Sequence, residues 1–333
     1  MIRPFGLRDI LAIRQLASLG VAFDLRRALL YGRSPAFSAV FGYLTRHYLG
    51  PMTCIEQTDR QVSGFCQVWP RSQRTTWEIG FLAPSIEYRD TSTNTWHQLL
   101  TNAIRVAVEN QVQRVYARVP EDPEMESVLR KAGFTVVTHE EIFALASPSQ
   151  PAPRPRGLKP VARGDEWYLR ELYRQAMPPL IKQSEGPIPD WYSPSKRVLT
   201  RFSRTREMIW IEQGRANAYF SLCSSANGYW LEMVVRPECR GDALPYIKHL
   251  LSLADGAPNR PIYCPIPDYA VGLGLMLQTQ KFQSYTRQVL FVAHTVARVP
   301  VSRPLVMPAL DNTIDIGSPV GRASTTVQNS ERG

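Results

Sequence analysis

Cysteine and histidine have the widest chemistry of the side chains in this 333-residue sequence, from nucleophilic attack to metal binding. The five cysteines (54, 66, 223, 239 and 264) form no CxxC pair, and the five histidines (47, 97, 139, 249 and 294) show no ligand spacing. We therefore expect a cytoplasmic protein without a disulfide framework or a metal site. Arg240 adjoins Cys239 and would lower the pKa of its thiol, but no histidine stands beside it to make it a nucleophile.

Charge indicates the kind of partner. Lysine and arginine number 39 against 29 aspartate and glutamate, a net charge of +10, which favours anionic partners such as nucleotides or CoA-like phosphates. A basic cluster at 196–206, interleaved with aromatic residues, is the best candidate for contact with an acidic partner. No nucleic-acid-binding motif accompanies it, so we do not expect a nucleic-acid partner. No apolar run reaches the roughly 18 residues of a membrane span, so we expect no membrane partner.

The helices and strands that would hold a site fall into two blocks of the chain. Residues 147–157, SPSQPAPRPRG, predict a Pro-rich linker, and residues 300–333 predict a loose tail without periodicity. The domains predicted on either side of the linker are residues 1–146 and residues 158–299.

The two blocks repeat each other. Ile2-Arg3-Pro4 followed by Asp9 is matched by Leu158-Lys159-Pro160 followed by Asp165, each 156 positions later. The tripeptide Ile-Glu-Gln occurs at 55–57 and again at 211–213, with the same offset. Several matches in one order predict a duplicated fold.

Periodicity predicts the same mixed sheet in each block, with helices on its faces. This is an α/β (α+β) fold in the order β-α-β-β-β-α-β-α-β-β. In block one we predict helices at 7–30, 95–111 and 124–132, and strands at 2–4, 52–56, 62–68, 77–82, 115–119, 134–137 and 141–145.

Three segments resemble the GNAT superfamily of N-acetyltransferases, here as a tandem pair. EMESVLRKAGFTVV (124–137) is similar to the short helix, Ala-Gly-Phe turn and strand of that family. WLEMVVRPECRGDALPYIKHLL (230–251) and WEIGFLAPSIEYRDTSTNTWHQLL (77–100) resemble its fourth strand, phosphate loop and third helix. The resemblance implies two GNAT-like domains and transfer of an acetyl or other acyl group from acetyl-CoA to a small-molecule or peptide amine.

The resemblance also implies a cofactor site. There, backbone amides at the start of a helix would bind the pyrophosphate of acetyl-CoA. In block two the matching residues are Val234, Val235, Arg240, Gly241, Asp242, Ala243 and Leu244, and in block one they are Arg89, Thr91 and Ser92. Both loops lack glycines of the family pattern [Q/R]-x-x-G-x-[G/A], so a helix cap without phosphate is the alternative in each. We expect block two to bind the cofactor better.

The family's base on the fourth strand corresponds to Glu232 and, roughly, to Glu78. Strand alternation predicts that these two lie on opposite faces unless a bulge intervenes. The family's acid, a tyrosine, is replaced by Leu129 and Leu277, so Tyr269, or Tyr263 near it, is the substitute candidate. A solvated or packed side chain is the alternative for each.

Two functions remain open at this point: an acyltransferase, or a non-catalytic descendant that binds a partner. The enzyme requires an open V-shaped gap beside Val234–Val235 and free main-chain amides in the turn after Pro237. A binding protein may have that gap filled by side chains.

Overall fold

A computed structural model describes residues 1–32, 34–48, 50–59, 61–71, 75–88, 92–146, 151–185, 204–254 and 260–295. The predicted tail, positions 147–150 of the linker and positions 196–203 of the basic cluster lie outside the described residues. Met1–Val296 forms one compact unit. The domain boundaries at 146, 158 and 299 stay a prediction.

The N-terminal half follows the predicted order with additions. Its elements in chain order are β1 (Ile2–Pro4), α1 (Ile10–Ala17), β2 (Val21–Ala22), α2 (Leu25–Tyr31), α3 (Pro35–Leu44), β3 (Met52–Thr58), β4 (Gln61–Pro70), β5 (Thr76–Ala83), α4 (Ser92–Glu109), β6 (Arg114–Pro120), α5 (Pro123–Lys131) and β7 (Thr135–Leu145).

The C-terminal half repeats this plan. Its elements are β8 (Leu158–Pro160), α6 (Glu166–Ala176), α7 (Pro179–Glu185), β9 (Arg204–Glu212), β10 (Arg215–Ser225), β11 (Gly228–Val235), α8 (Leu244–Ser252), β12 (Ile262–Pro267), α9 (Leu273–Thr279) and β13 (Gln283–His294). The predicted mixed α/β fold in two related halves is confirmed.

One continuous sheet joins the halves, because their last strands are exchanged. The strand order is β1-β3-β4-β5-β6-β13-β7-β12-β11-β10-β9-β8, with β2 added beside β5. β13 of the C-terminal half pairs with β6, and β7 of the N-terminal half pairs with β12. Phe143 is therefore buried in the core under α8, and Phe291 is buried in the core under α4.

Two predictions of local structure are wrong. The helix predicted over 7–30 ends at Ala17, because the chain turns at Gly20, where a Cβ would lie only 2.5 Å from the Phe81 ring. A new helix, α2, then begins at Leu25, and the Asp24 carboxylate caps it by accepting a hydrogen bond from the Arg27 amide. The strands predicted at 134–137 and 141–145 are a single strand, β7.

The repeat is visible in side-chain geometry as well. The Asp9 carboxylate accepts hydrogen bonds from the Gly6 amide at 2.8 Å and from both terminal nitrogens of Arg3 at 2.8 Å. The Asp165 carboxylate accepts them from the Ala162 amide at 2.9 Å and from Lys159 Nζ at 2.7 Å. The same first turn is thus built twice.

Candidate functional site

The central sheet opens in the C-terminal half between β11 and β12. These parallel strands pair only at Tyr229–Ile262 and Trp230–Tyr263, and β11 then continues to Val235 without its neighbour. In the described part of the chain no strand pairs with β11 on this edge beyond Trp230. The separation of strands that the predicted gap requires is present among the described residues, and an open gap stays a prediction.

The main chain of β11 presents hydrogen-bonding groups to this gap. The Tyr229 amide donates to the Pro261 carbonyl at 2.9 Å, on the gap side, whereas the Arg236 amide donates to Asn217 on the other side. Because these directions alternate along a strand, the amides and carbonyls of Leu231, Met233 and Val235 point into the gap.

A side chain of β11 and one that follows β12 share a packing partner beside the gap. Val234 of β11 and Tyr269, which follows β12, pack against the same buried cluster on α6 and α7, formed by Tyr173, Met177 and Ile181. The structure therefore brings two predicted site residues, Val234 and Tyr269, to one place.

Arg240 crosses the mouth of the gap. Its Nη1 donates to the Val271 carbonyl at 3.3 Å, beyond the end of β12, while its buried Nε has no hydrogen-bond partner among the described residues. Burial lowers the pKa of the Arg240 guanidinium, and the nearby Tyr269 partly opposes that effect.

The turn that leads into α8 is more regular than the resemblance implies. Pro237–Asp242 is a 3-10 helix, in which the Cys239 amide donates to the Arg236 carbonyl at 3.0 Å. The Ala243 amide donates to the Arg240 carbonyl at 3.2 Å, and Pro245 has no amide hydrogen. Part of the expected row of free amides is thus already paired. The assignment of Gly241, Asp242, Ala243 and Leu244 to a cofactor stays a prediction.

The expected effect of Arg240 on Cys239 is wrong. Burial raises the pKa of this thiol, Glu238 adds to the rise, and Arg236 opposes it only partly. A thiol protonated in this way is a poor nucleophile.

Glu232 forms an ion pair with the other half of the molecule. Arg26 of α2 lies 2.9 Å from Glu232 Oε1, and the Trp230 indole donates to the same oxygen at 3.2 Å. α2 packs on this part of the sheet, where Ser225 Oγ donates to the Leu30 carbonyl at 2.7 Å. Burial alone would lower the pKa of Arg26, but Glu232, Cys223 and Tyr31 together outweigh it, and the pKa lies above its ordinary value.

The corresponding gap of the N-terminal half is filled. β5 pairs with β6 only over Thr76–Ile79, as β11 does at its start. Beyond that point β2 pairs with the same edge of β5, and the Phe23 amide donates to the Gly80 carbonyl at 3.0 Å. The chain itself thus occupies this edge, whereas no described strand pairs with the equivalent edge of β11.

Glu78 is held by two arginines in that half. Arg71 Nε lies 3.0 Å from one carboxylate oxygen, and Arg118 donates to the other. Burial alone would raise the pKa of Glu78, but the two guanidinium groups outweigh it and hold that pKa well below its ordinary value. The carboxylate is a fixed anion at neutral pH.

A bulge places both glutamates on the face that carries α2. Val68 is opposite Ile79 and Gln67 is opposite Phe81, so Gly80 is an extra residue in β5. The two glutamates were predicted to lie on opposite faces unless a bulge intervened, and this bulge is present.

The remaining predicted residues are less informative. Ser92 begins α4 and is 1 % exposed, and its Oγ has no hydrogen-bond partner in the described part of the molecule. Arg89 and Thr91 lie outside the described residues. Leu129 and Leu277 are core residues, and Tyr263 packs its ring 5.3 Å from that of Tyr285.

Sequence reasoning missed Arg26. It precedes Glu232 by 206 positions and belongs to the other half, so no motif spacing connects the two. Only the packing of α2 across the halves brings them together.

Within the described ranges, no group of three or more His, Cys, Asp or Glu side chains is placed to bind a metal ion. No helix in the part of the chain that the structure covers is long and apolar enough to cross a membrane.

Solved structures include proteins with a similar architecture. A GCN5-related N-acetyltransferase from Sphaerobacter thermophilus matches with a TM-score of 0.56 and 16% identity, covering 89% of this chain and 96% of that chain. A tandem GNAT protein from the clavulanic acid biosynthesis pathway matches with a TM-score of 0.53 and 14% identity, covering 89% and 99%. A putative acetyltransferase from Pyrococcus horikoshii matches with a TM-score of 0.50 and 13% identity, covering 88% and 89%.

No family model and no curated protein matches the sequence. The chain has a mixed α/β fold built from two related halves. More narrowly, that fold is the tandem GNAT fold.

Proposed function

We propose that the C-terminal half transfers an acyl group, most simply acetyl, from acyl-CoA to an amine, and that the N-terminal half does not. The supporting observation is the contrast between the open edge of β11 and the edge of β5 that β2 covers. An open strand edge can bind an extended, amide-containing ligand as an added strand. The pantetheine arm of acetyl-CoA is such a ligand.

The residues around the gap suit this ligand. Leu231, Met233 and Val235 would bind the pantetheine amides through their main chain. Arg240, at the mouth and with an unpartnered Nε, would bind phosphate oxygens through its side chain. This arrangement would compensate for the amides that are paired within the 237–243 turn.

Acetyl-CoA supplies the activated acyl carbon. The amine nitrogen forms a bond to that carbon, the carbon–sulfur bond breaks, and the sulfur leaves as a thiolate. Glu232 would accept the proton released by the amine, directly or through water, and Tyr269 would donate a proton to the thiolate. A small-molecule or a peptide amine would satisfy this chemistry.

Calorimetric titration with acetyl-CoA tests the proposal, with one bound molecule per chain expected. Arg240→Glu should weaken binding at least about tenfold, because it places a negative charge where phosphate is expected. Arg89→Glu, at the corresponding position of the N-terminal half, is the matched control and should leave affinity unchanged. No heat at high micromolar ligand, or two equal sites, would contradict the proposal.

A second function, a non-catalytic binding module, is favoured by the pairing of amides within the 237–243 turn. The same titration separates the two. A binding module would give no acetyl-CoA heat in either the wild-type chain or its variants.

A further inference from the structure

The contact between Arg26 and Glu232 joins the two halves at the proposed reaction centre. Their side chains are 26% and 28% exposed, so neither is fully solvated and neither is sealed from substrate. The Trp230 indole shares the Arg26-bound oxygen, which fixes the carboxylate in one orientation. The ion pair therefore has a defined geometry, unlike a mobile surface pair.

The other described groups named here near Glu232 are neutral or acidic. Ser221 of β10 lies directly opposite Glu232, and Ser221 is in turn opposite Glu207 of β9. The Tyr219 hydroxyl donates to Glu207 at 2.8 Å. Burial raises the pKa of this hydroxyl, and the charges of Glu207 and Glu232 add to the rise. Cys264 of β12 is buried and protonated, because burial and the Glu232 charge both raise its pKa.

Two groups of α2 also lie nearby. Tyr31 has its hydroxyl 3.8 Å from Cys223 Sγ, and Arg26 is the cation of the set.

We propose that Arg26, on α2 of the N-terminal half, is a positioning residue that keeps Glu232 ionised and aimed at the reaction centre of the C-terminal half. This inference rests on the proposed function. It assigns the N-terminal half, which has no open gap of its own, a part in the site of its neighbour.

The next residue on the helix shows that this arrangement is specific. Arg27 lies 2.8 Å from Asp24 and stacks over the Trp69 ring at 3.7 Å, so it contacts only N-terminal elements in these interactions. Consecutive arginines on α2 thus face different halves. Arg27→Met is therefore a matched control for Arg26→Met.

The ionisation of Glu232 can be followed through the Trp230 indole, which donates to its carboxylate. The experiment is a pH titration of indole 15N–1H resonances in the full chain, with Trp230→Phe to assign the signal. Arg26→Met should raise the midpoint of the Trp230 titration by about one pH unit or more, since a cation at this distance stabilises the charged carboxylate. The midpoint in Arg26→Lys should lie between those of the wild type and Arg26→Met, and the midpoint in Arg27→Met should match that of the wild type. A midpoint unmoved by Arg26→Met would overturn the inference.

A kinetic measurement separates positioning from a structural role. With acetyl-CoA and benzylamine as probe substrates, the acidic limb of the rate profile should move with the indole midpoint in Arg26→Met, while the KM for acetyl-CoA stays constant. A limb that does not follow the midpoint, or absence of transfer in the wild type, would overturn the catalytic part of this inference. Absence of acetyl-CoA binding by calorimetry would instead contradict the proposed function and leave the indole titration readable.

Discussion

Strands β5 and β11 are equivalent in the two halves. Their neighbours are equivalent where the strands begin and different where the strands end. Each pairs with a parallel strand for a few residues and then separates from it. In the N-terminal half the separated edge is covered by β2, a strand of two residues that follows the turn at Gly20. A two-residue strand before α2 thus covers an edge of β5, whereas no described strand covers the equivalent edge of β11.

The glutamates on these strands differ in the same sense. Glu78 contacts two arginines, Arg71 and Arg118, whereas Glu232 has a single cation, Arg26, among its described ion pairs. Two charge-assisted contacts hold a carboxylate more firmly than one does. The Glu232 side chain is also the more exposed of the two, 28% against 14% for Glu78.

The strand exchange makes the halves dependent on each other, which gives the largest expected effect. A fragment of residues 1–146 lacks β13, so the β6 edge is exposed and the core under α4 loses Val289, Phe291 and Ala293. We expect this fragment to be unfolded by circular dichroism and to show no cooperative melt.

A second fragment, residues 151–296, is the control. Mixing it with 1–146 should restore a folded complex, because β7 and β13 would recover their partners. A cooperative melt of 1–146 alone would show that the halves are separable and that the exchange is not required.

The next largest effect is on stability through Glu78. Glu78→Gln removes the partly buried carboxylate that Arg71 and Arg118 share, although Arg118 keeps its ion pair with Glu140, and we expect a loss of about 3 kcal/mol in the free energy of unfolding. Glu232→Gln, with one arginine partner, should cost about 1 kcal/mol. Urea unfolding at pH 7 measures both, and equal losses would contradict the difference between the two sites.

The same substitution predicts a change in acid stability. Because the pKa of folded Glu78 lies below its unfolded value, its contribution is fully present above the unfolded pKa. The contribution is lost as the pH falls through the folded pKa. Glu78→Gln should therefore flatten the loss of stability below about pH 4 relative to the wild type.

Much of the fold was predictable from the sequence, because it depends on local signals. α5 is an example: Asp122 caps it by accepting hydrogen bonds from two amides, Pro123 occupies its first turn, and Gly133 with φ of 94° ends it. The spacing of Trp96, Leu99 and Leu100 likewise predicted α4.

The exchange of β7 and β13 was not predictable, since the two strands have similar apolar patterns and no local signal shows which half each one joins. The pairing of β2 with the edge of β5 was also missed. Val21 and Ala22 continue the apolar periodicity of α1, and only the close approach of Gly20 to Phe81 shows that the helix must end before them. The ion pair joins Glu232 to Arg26 of α2, the helix that directly follows β2.

A smaller effect compares the glutamates in catalysis. If the C-terminal half carries the activity, Glu232→Gln should lower the rate of acetyl transfer to benzylamine by about 100-fold, the low end for loss of a general base. Glu78→Gln, assayed where it remains folded, should retain the wild-type rate. Loss of transfer in both variants would mean that the filled half also takes part in the reaction.

The smallest effect concerns the repeated first turn. Asp9 receives two hydrogen bonds from Arg3, which is 19% exposed, whereas Asp165 receives one from Lys159, which is 45% exposed. A bidentate guanidinium binds a carboxylate more strongly than a single ammonium does. We therefore expect Asp9→Asn to cost about 2 kcal/mol in the free energy of unfolding, against about 1 kcal/mol for Asp165→Asn.

Arg3→Lys supplies the control, because it gives the first turn of the N-terminal half the partner type of the C-terminal half. In that background Asp9→Asn should cost about as much as Asp165→Asn does in the wild type, by urea unfolding. If the cost of Asp9→Asn stays unchanged in Arg3→Lys, the Gly6 amide, and not the guanidinium, is the main partner of Asp9, and the two turns differ for another reason.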